Sequence, residues 1–396
     1  MKMKVLIADK FPEYYTNILR KNDIEVIYEP KLGEDDLIEA AKEVDILVVR
    51  STKVNAAAIE NASNLNLIVR AGAGVNNINV AAANKKGVYV ANCPGKNAVA
   101  VAELAIGLMI SLDRRIPHNV ADFKKGIWNK GEYSKAEGLL GKTLAIVGVG
   151  NIGKEVAKRA LAFGMSVYGK DISRIEGVAI KDFDEMDKIL PIADIVSIHL
   201  PLTPQTRGLF DDKMFSYMKP GAYLINTSRA EVVDEEALIK AVKEKNLRVA
   251  FDVFKDEPEG KTGSVSSPLM ELENVYVTHH IGASTEQAQN AVAEETVNII
   301  SKYIESGVIA HWVNKAKITE QMYQLVVKHY DKPGVLASVL DVLRDADINI
   351  EEVENLIFDG GIVATCTMKL RKPATGEMIE AIRVNPNVLT VSHVAM

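Results

Sequence analysis

Cysteine is scarce in this chain: Cys93 and Cys366 are the only two in 396 residues, and they lie far apart. A disulfide scaffold and a zinc site built on CxxC pairs are both excluded, and no metal is expected. A basic excess is missing too. Lys+Arg 47 against Asp+Glu 53 leaves a formal net charge of −6, which favours solubility and offers no broad basic face to a nucleic acid. The longest apolar run, Ala98 to Leu112, contains Glu103. It is too short and too polar to span a bilayer, so no membrane partner is expected. The first residues enter a strand pattern directly, without a signal-peptide core. No internal repeat or low-complexity segment is visible. With 47% hydrophobic and 25% charged residues, the composition is that of a globular protein rather than a disordered one. At about 150 residues per domain, two to three domains are expected, in a soluble cytoplasmic protein.

Short β-branched runs alternate with helix-length amphipathic stretches. Lys4–Ala8, Glu25–Tyr28, Asp45–Val49, Leu67–Val69 and Val88–Ala91 read as strands, with helices such as Leu37–Glu43 and Ala56–Ala62 between them. Such alternation predicts a parallel sheet covered on both faces. The rhythm restarts after a long helix over Ala98–Leu112. New strands follow at Thr143–Val147, Ser166–Tyr168, Ile195–Ile198, Tyr223–Asn226, Arg248–Phe251 and Val275–Thr278. Ala283–Ser306 reads as one long helix that could return the chain to the first lobe. After Lys315 the pattern becomes β-α-β-β-α-β, a ferredoxin-like split unit. The expected fold is α/β: two doubly wound, Rossmann- or flavodoxin-like lobes plus this small tail. The expected borders are residues 1–94 with 285–317 for the first lobe, 95–284 for the second and 318–396 for the tail.

Gly148-Val-Gly150-Asn-Ile-Gly153 follows one predicted strand and opens a predicted helix, and Asp171 stands at the end of the next strand. A bare GxGxxG is weak; this context strengthens it. The first glycine permits the turn, the second lets backbone N–H groups approach a pyrophosphate, and the third allows close helix–strand packing. The helix N-terminus turns its positive dipole end toward the phosphates. Asp171 would accept from the adenosine ribose and repel a 2′-phosphate, so NAD is expected, with Lys170 leaving slight room for NADP.

Three further segments follow strands of the second lobe, where an open α/β sheet places its ligands. They carry Arg229, Glu257 and His280. Singly, each has a plain reading: a surface ion pair, a solvated turn residue, a satisfied loop histidine. Together, behind a dinucleotide motif, they match what a hydroxy acid losing hydride needs. Arginine clamps a carboxylate, histidine titrates in the working range of a general base, and a carboxylate beside it favours the charged ring and fixes its tautomer.

With these residues on view, the chain resembles the D-isomer-specific 2-hydroxyacid dehydrogenases. The resemblance spans essentially the whole length, through Arg50-Ser-Thr-Lys-Val, Val69-Arg-Ala-Gly-Ala-Gly74, Ala102-Glu-Leu, the glycine loop, His199-Leu-Pro201, Val232-Val-Asp-Glu235, Asp252-Val-Phe, Glu257-Pro258 and His280-Ile-Gly-Ala-Ser-Thr285. It implies that Arg229 binds the substrate carboxylate and that Glu257 supports His280, the proton carrier. It implies that Asp252 holds the nicotinamide carboxamide, with Thr227 and Ser228 lining that pocket. Ala73, Asn151, Ile152, His199, Pro201, Gly282 and Ala283 complete the implied cofactor contacts. Some positions depart from the family pattern: Ala230-Glu231 after Arg229, Asn76 for an aspartate, and His279 where proline usually precedes the catalytic histidine. His279 leaves the assignment of the base open between two neighbours, with His280 favoured.

Arg50 and Arg70 follow strands of the first lobe. The resemblance implies that they, with Ser51, Ala71 and Gly72, take a phosphorylated substrate, 3-phosphoglycerate, in the first step of serine synthesis; surface acids could occupy both arginines instead. The tail, with Asp331-Lys-Pro-Gly334, resembles an ACT domain. That likeness implies pairing into a homodimer or homotetramer and an L-serine effector held near His329, Asp331 and Asn349, although Asp331 stands where asparagine is usual. A glyoxylate or hydroxypyruvate reductase and an NAD-sensing corepressor are the competing readings.

Overall fold

The computed structural model describes every residue except 1, 22–23, 173–174, 184, 259–261, 317–321 and 396. The chain divides into two compact units, Met1–Asn314 and Lys315–Met396. The tail border expected at residue 318 lies outside the described residues. The fold class is the expected α/β, with two parallel sheets in the first unit and one antiparallel sheet in the second.

The first sheet holds β1 (Lys4–Ile7), β2 (Glu25–Tyr28), β3 (Ile46–Val49), β4 (Leu67–Arg70) and β5 (Tyr89–Asn92), in the order β2-β1-β3-β4-β5. Every residue of β3 is buried, as a parallel strand covered on both faces requires. The chain leaves this sheet through the helix Ala98–Arg114. The second sheet contains β6 (Thr143–Val147), β7 (Ser166–Lys170), β8 (Lys181–Asp182), β9 (Ile195–Ile198), β10 (Tyr223–Asn226), β11 (Arg248–Phe251) and β12 (Val275–Val277). Their order is β12-β11-β10-β9-β6-β7-β8. The long helix Glu286–Ser306 then packs Val292, Val297, Ile299 and Ile300 into the core of the first sheet, beside Val5, Ile46 and Val69.

Both sheets are open and doubly wound, and each reverses its strand order once: between β1 and β3, and between β6 and β9. A crevice opens beyond the strand C-termini at such a reversal, and ligands bind there. Asp9 and Arg50 flank the first reversal; the glycine loop and His199 flank the second.

The tail is built differently. β13 (Tyr323–Tyr330), β14 (Ile350–Ile357), β15 (Val363–Leu370) and β16 (Val388–Ala395) form an antiparallel sheet ordered β14-β15-β13-β16. The helices Val335–Asp345 and Gly376–Arg383 supply the β-α-β-β-α-β sequence. β15 alternates strictly between buried and half-buried residues, the mark of a sheet packed on one face only. Among the described residues, no helix is long and apolar enough to cross a membrane, and no cluster of His, Cys, Asp and Glu has the arrangement of a metal site.

Candidate active site

The glycine loop takes three distinct backbone roles. Gly148 adopts φ +93°, and a Cβ there would lie 2.6 Å from the His199 carbonyl oxygen. A Cβ at Gly153 would lie 2.2 Å from the Gly148 carbonyl oxygen, so the helix Asn151–Ala162 closes tightly onto its strand. Gly150, between them, faces open space. The loop therefore has a free cradle at the one position where a pyrophosphate must approach. Asp171 closes the far side, its Oδ2 accepting from the Val149 N–H at 2.7 Å. His199 lies with its Nε2 2.8 Å from the Ser197 hydroxyl and its Nδ1 3.5 Å from that of Thr227. Burial pushes its imidazole down to about 4, so it is neutral at physiological pH.

His280 and Glu257 meet as a pair, with Nδ1 2.6 Å from Oε2. The other carboxylate oxygen accepts from the Phe254 N–H at 2.8 Å. Burial alone would raise the Glu257 carboxyl. The His280 hydrogen bond, the Phe254 amide and the charges of His280 and Arg229 more than offset it, holding the group below the usual carboxylate range. The neighbouring His279 is exposed and makes no such pair among the described residues. Geometry thus separates the two histidines.

The loop bearing His280 is held under tension. His280 sits at φ +51°, a left-handed conformation that costs a non-glycine residue roughly 1–2 kcal/mol. Such a residue persists only where its surroundings over-determine it. Asp252 does so here: it is buried, accepts from the Thr278 hydroxyl at 2.6 Å and the Ile281 N–H at 2.9 Å, and takes the Gly282 N–H at 2.7 Å. The carboxylate expected to meet a cofactor amide is already engaged by three donors of the 278–282 loop. Thr278 was not singled out from the sequence; a hydroxyl at the end of β12, level with Asp252 at the end of β11, is the signal that marks it.

Arg229 is aimed by its own turn. Asn226 donates to the Arg229 carbonyl at 2.9 Å and accepts from the N–H and hydroxyl of Ser228, while Arg229 Nη1 donates to the Ser228 carbonyl at 2.6 Å. Its guanidinium reaches across to the first lobe, where a Cβ on Gly74 would lie 2.5 Å from Nη2. Arg70 folds onto the same glycine arc, with a Cβ on Gly72 falling 1.7 Å from its Nη1. Arg70 Nε donates to the Arg50 carbonyl at 3.1 Å. Burial, followed by the charges of Arg229 and Arg50, pushes the Arg70 guanidinium down to about 10. Among the described residues, none of the three guanidiniums has a carboxylate ion-pair partner. Cations crowded together without a direct carboxylate ion pair among the described residues are arranged for an incoming anion.

In the tail, His329 is buried, with Nδ1 2.8 Å from the Tyr330 carbonyl and Nε2 3.3 Å from Asn355 Oδ1. Asn349 donates to Glu351 Oε1 at 3.3 Å, and Asp331 is exposed. The structure does not bring these three together within one chain. Asn355, on the neighbouring part of β14, takes the ring that was expected to face an effector.

The sequence of residues 106–282 matches the family model described as the D-isomer specific 2-hydroxyacid dehydrogenase NAD-binding domain. Over 379 residues the chain is 35% identical to the D-3-phosphoglycerate dehydrogenase of Methanocaldococcus jannaschii, covering 93% of this chain and 70% of that protein. The chain belongs to the D-isomer specific 2-hydroxyacid dehydrogenase family. It is also 42% identical over 304 residues to the hydroxypyruvate reductase of Thermotoga maritima, covering 76% of this chain and 98% of the relative. The structure of NAD-bound 3-phosphoglycerate dehydrogenase from Entamoeba histolytica superposes with a TM-score of 0.68 at 29% identity, covering 80% of this chain and all of that one. The chain is thus an oxidoreductase of this family, and its second sheet is the family's NAD-binding domain. The open cradle at Gly150 fits that cofactor.

Proposed function

We propose that this dehydrogenase oxidises 3-phospho-D-glycerate to 3-phosphohydroxypyruvate, the first step of serine biosynthesis. The observation that carries the reading is the trio Arg50, Arg70 and Arg229: among the described residues none has a carboxylate ion-pair partner, Arg70 and Arg229 lie against Gly72 and Gly74, and the Arg50 carbonyl accepts from Arg70. A substrate with one carboxylate needs one clamp; a second anionic group accounts for the other two cations. Arg229 would take the carboxylate and polarise the adjoining C–O bond, and Arg50 and Arg70 would take the phosphate. His280 Nε2 faces away from Glu257 and would accept the hydroxyl proton, while Glu257 stabilises the imidazolium that results. Gly148, Gly150 and Gly153 would hold NAD, which would serve as the hydride acceptor. Asp171, Thr227, Ser228 and His199 would line its site, and Asp252 would keep the 278–282 loop in register.

The Thermotoga relative favours a second reading, reduction of hydroxypyruvate, since it matches at higher identity and over 98% of its own length. NADH formation from 3-phosphoglycerate and from D-glycerate, measured side by side, separates the two. The phosphorylated reading requires kcat/KM to be at least about 100-fold higher with the phosphate, the worth of a lost charge-assisted pair of contacts. Equal efficiency would sink it. For the tail, the β-α-β-β-α-β fold supports an ACT-like assembly module joining chains into a dimer or tetramer.

A further inference from the structure

Asp9 closes β1 at the reversal between β1 and β3. Its Oδ2 accepts from three successive backbone N–H groups: Arg50 at 2.7 Å, Ser51 at 2.9 Å and Thr52 at 3.0 Å. Consecutive amides converging on one point form a nest, a concavity that binds anions. Here the protein's own carboxylate fills it. The parallel register that sets Ile7 opposite Val48 brings Asp9 level with Arg50, so the contact is built into the sheet. The Arg50 carbonyl, at the start of the same turn, accepts from Arg70 Nε.

We propose that Asp9 is a positioning residue for substrate recognition: by occupying the nest it fixes the turn whose Arg50 carbonyl steers Arg70 onto Gly72. It also decides where an anion is held. With the amides engaged by Asp9, a substrate phosphate is left to the guanidinium side chains, above the nest rather than in it. The charge of Asp9 reaches Arg70. The carboxylate serves the turn and does not pair with a guanidinium. This inference rests on the phosphorylated-substrate reading given above.

The test uses Asp9→Ala and Asp9→Asn in the full chain, assayed with NAD and 3-phosphoglycerate and, separately, with D-glycerate. Asp9→Ala empties the nest, and KM for the phosphorylated acid should rise at least about tenfold. Both kcat and KM for NAD should stay within about twofold. Asp9→Asn keeps an acceptor oxygen for the three amides and should hold KM within about threefold of the parent. A general loss of structure would move the NAD parameters as well, and the asparagine would not rescue the split. Equal KM values in the alanine variant and the parent, or equal losses in both variants, would overturn the proposal. Should Asp9→Ala not fold, hydrogen exchange on the unaltered protein decides. The amides of residues 50–52 must be protected without substrate and remain so with it; free exchange in the absence of substrate overturns the inference. A parent enzyme that treats the two acids alike refutes the substrate reading instead, a result that is distinct from any outcome for Asp9.

Discussion

His280 stands in an exposed loop with a carboxylate on one ring nitrogen, whereas His329 lies buried with a backbone carbonyl and an amide on its two. The side chain of His280 is 52% exposed and that of Glu257 33%; His329 is 1% exposed. Both rings were candidates from sequence, and both sit at the ends of predicted strands. Their surroundings differ in the feature that matters for proton transfer. His280 keeps Nε2 open and has an ionised partner behind it, so it can take a proton and give it up. His329 has every polar atom committed, and it serves the packing of the tail sheet.

Substitution gives the sharpest test of that contrast. His280→Ala should lower kcat by on the order of 10²–10⁴, the usual contribution of a positioned acid–base group, with NADH affinity nearly unchanged by fluorescence titration. His279→Ala should stay within about threefold of the parent under the same assay. If His279→Ala gives the larger loss, the pairing with Glu257 has been misread. His329→Ala should leave kcat alone and instead lower the stability of the tail, by about 1–3 kcal/mol in denaturant unfolding.

Glu257→Gln probes the partner. Because the Glu257 carboxyl is held below its usual range, it is ionised throughout the working pH range, and its support of the pair is lost only as pH falls through that lowered value. Glutamine removes the charge at every pH. We expect kcat to fall by roughly 10–100-fold, because the imidazolium formed during oxidation loses its counter-charge. An unchanged kcat would count against the pairing.

What the sequence made legible, and what it hid, follows the same division between local and assembled features. The glycine loop could be read because spacing within one strand–turn–helix unit dictates its geometry. The strand ends carrying Arg229, Glu257 and His280 could be read because doubly wound sheets expose their loops on one edge. Asp9, Thr278 and Asn355 could not be ranked, because each acts on a residue brought to it by strand register across 26 to 41 positions of chain. Asp252 was read as a ligand for the cofactor; that it also holds three donors of the 278–282 loop could not be read from the sequence. The helix Ile116–Lys124 escaped notice altogether: its apolar residues Ile116, Val120 and Phe123 are all exposed, and none of its residues is buried.

His199 provides a smaller and purely thermodynamic test. Its folded value near 4 lies below the ordinary histidine range, so between about 6.5 and 4 the unfolded chain holds a proton that the native one does not. Stability is therefore full above about pH 6.5 and is lost as pH falls toward 4, by up to roughly 3 kcal/mol. His199→Gln should flatten that dependence in urea titrations at pH 7 and pH 5. A parent protein equally stable at both would show that the ring is not buried in its neutral form.

The smallest expected effect concerns the tail and returns to His329. An amino acid bound at His329, Asp331 and Asn349 would have to draw the ring away from Asn355 and the Tyr330 carbonyl, exposing two polar atoms that are now satisfied. It would also bring its own carboxylate toward that of Asp331, and like charges at close range cost affinity. A ligand shifts a conformational equilibrium only by its difference in affinity for the two states, so a weak site gives weak control. L-serine at micromolar concentration should therefore leave NADH formation unchanged, with inhibition emerging only at millimolar levels. Asp331→Asn removes the repulsion and should lower the inhibitory concentration by about tenfold, the equivalent of ~1.4 kcal/mol. Low-micromolar inhibition of the unaltered protein would mean that His329 leaves its buried seat far more readily than its contacts imply.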